Sequence, residues 1–206
     1  MAEVVKVSKS TQKKSILNWF LSCAVGGNYE FMHGVGFMYS MVPVVKELYP
    51  NDVEKQKETL TRHLTFLNTE PEVGTVIHGV TIAMEEQVAA GADCDADQIV
   101  GLKSALMGPL AGIGDSFFWG TFRIIGAGIG ASLAAQGSIL GAILFLLIYN
   151  IPHFLVRYQG LRIGYKSGVN FLAGLSQGGV IAALTEAAKI LGLVVVGSMA
   201  ASMVSL

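Results

Sequence analysis

Asp115 lies in the most apolar neighbourhood of any acid in this 206-residue chain, inside Gly108-Pro109-Leu110-Ala111-Gly112-Ile113-Gly114-Asp115-Ser116. An ionisable group in such a setting marks a functional site, because an unpaired charge is costly away from water. A carboxylate accepts from neighbouring hydroxyls, which suits a sugar. A helix cap uses the same residue type, since Gly-Asp-Ser after a glycine turn also starts a helix. Trp119 and Arg123 follow at i+4 and i+8 on one helical stripe. The tryptophan face suits stacking on a sugar ring or packing at an interface, and Arg123 suits snorkelling or pairing with another subunit. Asn68, Thr69 and Glu70 precede Pro71, which disfavours helix at position 70 and turns three hydrogen-bonding side chains out of a regular ladder. They read either as a sugar-binding triplet or as a polar turn capping two helices. Glu186 stands alone among Ala182, Ala183, Leu184, Ala187 and Ala188, and Glu30 is a similar lone acid beside Tyr29.

Other chemistries find little support. His33, His63, His78 and His153 fall in no triad or metal spacing, although a phospho-carrier histidine is one reading for each. Asp93, Asp95 and Asp97 have the alternate spacing of a calcium loop, but Gln98 and Ser104 stand where that loop needs glycine and an acid, so helix capping near Asp97 is the better account. Cys23 and Cys94 read as lone thiols. Gly112-Ile113-Gly114 lacks the strand and third glycine of a nucleotide loop, so neither a cofactor nor a catalytic metal is expected.

The elements that must position these residues follow from an uneven composition. Charged residues make up 14% of the chain, against roughly 25% in a typical soluble domain, and the formal charge is -1, which gives no reason to expect nucleic acid as a partner. Residues 1 to 100 hold 21 of the 29 charges, while 18 of the 25 glycines lie from Gly101 onward. Residues 124 to 156 carry none, a run of 33 that exceeds the roughly 20 needed to cross a bilayer. The expected fold is therefore all-α and polytopic in a membrane.

Lys6, Lys9, Lys13 and Lys14 before Ile16, Leu17, Trp19 and Phe20 predict an amphipathic arm over residues 1 to 22 on the cytoplasmic face. Asn51-Asp52 predicts a helix start, Leu60, Leu64 and Leu67 its buried face, and residues 75 to 90 a further helix stopped by Gly91. Gly126, Gly128, Gly130 and Gly137 predict a broken or re-entrant passage, then a helix from about Ile139 to Phe154. Arg157, Arg162 and Lys166 mark an interface, and Ile190 to Leu206 is apolar but marginal as a span.

Four blocks in order resemble one family. They are Asn28-Tyr29-Glu30 with Met41-Val42-Pro43, Phe66 to Pro71, Gly108 to Ser116 with Phe118-Trp119-Gly120-Thr121, and Leu184-Thr185-Glu186-Ala187. Together they resemble the IID subunit of the mannose-fructose-sorbose family of bacterial sugar phosphotransferase systems. The resemblance covers nearly the whole chain as one IID-type membrane domain over residues 1 to 206. It implies a permease subunit of the bacterial cytoplasmic membrane, multi-pass with its N-terminus cytoplasmic, working as a hetero-oligomer with a IIC membrane subunit. The implied role is binding and translocating a hexose-type sugar while IIB phosphorylates it, with IIA and IIB as phosphoryl carriers, so the chain itself is not expected to be an enzyme. The candidate sugar ligands are Asn68, Thr69, Glu70, Asp115, Trp119 and Glu186, with the resemblance favouring the sugar reading for Asn68, Thr69 and Glu70. Family members continue into a further polar region and apolar segment, so the resemblance implies a short or truncated C-terminus. Two other readings are a non-catalytic membrane scaffold or assembly subunit, and a soluble helical enzyme using Gly112 to Ser116 as an anion nest.

Overall fold

The computed structural model describes residues 6 to 91 and 96 to 168. Among these residues seven helices run in the order α1 (Lys9–Ser22), α2 (Gly34–Leu48), α3 (Val53–His63), α4 (Thr75–Ala89), α5 (Ala96–Gly114), α6 (Arg123–Ala135) and α7 (Leu140–Ser167), with a π-helical segment at Asp115–Phe122 joining α5 to α6. Among the described residues there is no strand; isolated bridges tie Met32 to Asn28 and to Leu67. Asp52 caps α3 by accepting from Lys55 N at 2.9 Å, and α4 stops before Gly91, whose φ of 69° suits glycine.

Residues Ala96–Ala135 form one continuous helix of 40 residues and α7 has 28, both long and apolar enough to cross a bilayer. Soluble core helices bury such length inside the chain. Here Ile125, Ile139, Ile143, Leu146, Leu147 and Ile151 are all exposed, so the apolar faces need lipid or another subunit to cover them. The core proper lies between α1, α2, α4 and the first half of α5, around Trp19, Phe37, Met41, Val80, Ile82 and Ile99.

The glycine turn expected before Asp115 is corrected. Gly108 to Ser116 is helical, because three of the glycines at this end, Gly101, Gly108 and Gly112, face open space and ask nothing special of the backbone, so the helix carries through Pro109. The passage at 124 to 138 is a helix and a turn: α6 runs unbroken to Ala135 and turns back through Gly137, at φ 76°, into α7. In an apolar medium glycine promotes close packing more than it breaks a helix, since the backbone has no water to bond instead. Helix α1 is docked on α2, with Trp19 fully buried and Gly36 against the Ser22 carbonyl, while Leu17 and Leu21 stay exposed. The first helix is thus part of the core.

The α6–α7 hairpin gives a direct test. A Cβ on Gly130 would sit 3.0 Å from the Gly141 carbonyl oxygen and 3.2 Å from Phe145 Cβ, whereas one on Gly112 would meet nothing within 4 Å. Gly130→Ala is expected to lower the thermal midpoint in detergent by a few degrees, on the order of 1–3 kcal/mol for overpacking. Gly112→Ala should leave it unchanged, and equal effects would contradict the packing.

Candidate functional site

The turn before α4 is held from three sides. Leu67 N donates to the Phe31 carbonyl at 3.2 Å and His33 N donates to the Leu67 carbonyl at 2.8 Å. From α1, Trp19 Nε1 donates to the Pro71 carbonyl at 3.0 Å. Inside this frame Glu70 Oε2 accepts from Glu72 N at 3.0 Å and Val73 N at 2.9 Å. The polar-turn reading is therefore correct for one oxygen. Among the described residues Glu70 Oε1 and Thr69 Oγ1 are buried without a hydrogen-bond partner, as atoms awaiting a ligand or water would be. Asn68 is exposed.

Glu70 also meets the end of α5. A Cβ on Gly114 would overlap Glu70 Cβ, Cγ and Oε2, so only glycine allows the contact. Asp115 is the next residue, exposed, at the start of the π-helical segment. Short π-helical stretches inside α-helices frequently mark functional positions. Trp119 lies one turn further and is 49% exposed, with the Arg123 guanidinium 4.6 Å over its ring, so Arg123 stacks within the chain. Glu70 thus packs against the end of α5 at Gly114, and Asp115 and Trp119 follow it in the chain as exposed residues. Thr69 lies behind them, and Glu186 is outside the described residues.

A buried ionic group missed by sequence reasoning stands next to this contact. Glu72 Oε1 is 2.8 Å from Arg157 Nη2 and 2.7 Å from His153 Nδ1. Burial pushes the Glu72 carboxyl up, but the His153 hydrogen bond and the Arg157 charge outweigh it and hold the group below its usual value. Asp115, Tyr149 and His33 are within electrostatic reach of Glu72. Nε and Nη1 of Arg157 are buried with no hydrogen-bond partner among the described residues. The available signal was the i, i+4 pair His153 and Arg157 on one face of α7, directly after the uncharged run. Deeper in, Glu85 lies 3.2 Å from His63 and 3.9 Å from Arg62, and Lys103 sits 4.5 Å over the Phe37 ring. His78 meets Ser40 Oγ at 2.6 Å beneath Trp19 and Phe37.

These groups set the response to acid. Burial lowers the affinity of His63 and His78 for protons below that of an ordinary histidine near 6.5. Their neutral forms therefore contribute full stability above about pH 6.5, lost as pH falls. Glu72, lowered from 4.5, contributes stability present above that value and lost as pH falls through its lowered one. The thermal midpoint in detergent should be flat above about pH 6.5 and fall in two stages below it. Glu72→Gln should remove the lower stage; a midpoint that rises on acidification would contradict the assignment.

Comparison with known proteins shows the family. Residues 6 to 206 match the model of the "PTS system mannose/fructose/sorbose family IID component". The chain is 42% identical to a mannose-specific EIID component of Escherichia coli O6:H1, over 97% of its own length and 72% of the relative's. It is 48% identical to a sorbose-specific EIID component of Klebsiella pneumoniae, over 82% of its own length and 61% of the relative's. Among solved structures, a chain of the mannose transporter ManYZ in complex with a microcin superposes with a TM-score of 0.77 at 43% identity, covering 94% of this chain and 70% of that one. Another mannose-specific relative, from Escherichia coli K12, is covered over 60% of its length.

Proposed function

The chain belongs to the IID component family of the mannose/fructose/sorbose phosphotransferase systems, and from that premise we propose that it binds and translocates a hexose-type sugar together with a IIC membrane subunit. In this reading IIB phosphorylates the sugar as it passes, IIA recharges IIB, and this chain carries no phosphoryl group. The mannose transporter named ManYZ among the solved relatives supports a hetero-oligomer with a second membrane subunit. Glu70, Asp115 and Trp119 are the ligands contributed by the described residues, with Thr69 behind, Asn68 at the rim, and Glu186 as a further candidate.

The observation that carries this reading is the half-satisfied Glu70. Its Oε2 holds the turn while the buried Oε1 has no partner among the described residues, a step along the chain's packing from exposed Asp115. Sugar hydroxyls are the donors such oxygens lack, and a ring face against Trp119 completes a carbohydrate site. Sugar binding by the chain reconstituted with its IIC partner tests it. Loss of binding in Asp115→Ala and Glu70→Ala pairs that still assemble supports translocation; undiminished binding leaves the chain an assembly subunit.

The proposed home is the bacterial cytoplasmic membrane, with the N-terminus cytoplasmic and residues 6 to 206 acting as one unit. Orientation draws support from charge placement, since Lys9 and Lys13 of α1 share a cleft with Arg162 and Lys166 at the end of α7. A cysteine introduced near Lys9 is expected to resist labelling from outside intact cells, and strong labelling there would overturn the topology.

A further inference from the structure

The cleft between α1 and the end of α7 is lined by none of the candidate sugar ligands. It encloses about 620 Å³ and includes Lys9, Lys13, Arg162 and Lys166 on its walls. All four are exposed, and among the described residues none lies within ion-pair distance of a carboxylate. The acid behind the cleft, Glu86, is buried and already accepts from Tyr165 Oη at 2.8 Å and Val7 N at 2.6 Å. Four like charges around one concavity repel each other, and an anion relieves them.

The cleft also has a direction. The two helices run antiparallel, since Phe20 stacks on Phe154 at 5.5 Å while Lys9 and Lys166 line the other end. Between them Ile16, Leu161 and Ile163 supply apolar lining, and Leu17, Phe20, Phe154 and Leu155 continue it as exposed surface. From Phe20 to Lys9 the axis advances about 16 Å, so the lining changes from aromatic and aliphatic to cationic over roughly the length of a phospholipid glycerol region and upper acyl chain. Tyr158, with the Arg162 guanidinium 4.6 Å over its ring, stands at the boundary, where amphipathic rings settle.

We propose that this cleft holds one anionic phospholipid, its phosphate among Lys9, Lys13, Arg162 and Lys166 and its acyl chain along Ile16, Phe20 and Phe154. The chemistry recognised is a phosphate monoanion attached to an apolar chain, and the lipid bound in this way ties α1 to α7 at the membrane edge.

The test uses the full chain in detergent, titrated with short-chain phosphatidylglycerol, with phosphatidylcholine of the same chains, or with inorganic phosphate, and read by native mass spectrometry. Phosphatidylglycerol should bind and the other two should not. Lys13→Gln with Lys166→Gln, both at exposed positions, should weaken binding about 25-fold, at roughly fivefold per removed charge near a membrane surface. The thermal midpoint without lipid should stay unchanged in that variant, so lost binding is not lost folding. Equal binding of both lipids, or inorganic phosphate competing as well as the lipid, would overturn the proposal. So would a double variant that keeps its lipid affinity but loses uptake, which would assign the cleft to an acidic protein partner.

Discussion

Sugar uptake by cells carrying Asp115→Asn or Glu70→Gln, at normal membrane levels of the protein, is expected to fall tenfold or more. Each substitution keeps the side chain's shape while removing a charge-assisted acceptor, and such a bond contributes roughly 1.5–3 kcal/mol. The two variants should differ in what else they change. Glu70→Gln disturbs a carboxylate that also holds the amides of Glu72 and Val73, so its thermal midpoint should drop as well. Asp115 is exposed and holds no such turn, so Asp115→Asn should lose transport with stability intact. Unchanged uptake in both variants would leave these residues as caps.

The largest stability effect is expected at Arg157→Met. Glu72 and Arg157 are 4% and 6% exposed, and Arg157 Nη2 lies 2.8 Å from Glu72 Oε1. Removing one member strands the other as a buried charge, which costs about 3–5 kcal/mol. Replacing both, as Glu72→Gln with Arg157→Met, should be less damaging than Arg157→Met alone, because the stranded charge is gone. Detergent melts of the two variants and the parent check this ordering. If Arg157→Met melts like the parent, the pair does not hold α7 to the turn.

Much of the framework was legible in residue types. Asp52 announced the start of α3, Gly91 the end of α4, and Pro71 the turn that carries Glu70, because each acts through its own backbone and needs no distant partner. Gly108 to Ser116 was misread because a glycine's role depends on what faces it. Gly114 permits the Glu70 contact, while Gly108 and Gly112 face open space, and the letters are the same. Glu72 was overlooked for a related reason: Arg157, which gives it meaning, is 85 residues away, and nothing local to either residue names the other. Family resemblance carried the candidate residues across, but it could not say that Trp19 would hold the turn at Pro71.

The Glu86 carboxylate, shared by Val7 N and Tyr165 Oη, imposes an order on synthesis. Residue 7 leaves the ribosome early and can bond Glu86 once residue 86 has emerged, whereas the Tyr165 hydroxyl arrives only when α7 is made. The first helix can therefore dock on α2 and on the Pro71 turn before α7 exists, and the last helix to be made closes on a carboxylate that already holds the beginning of the chain.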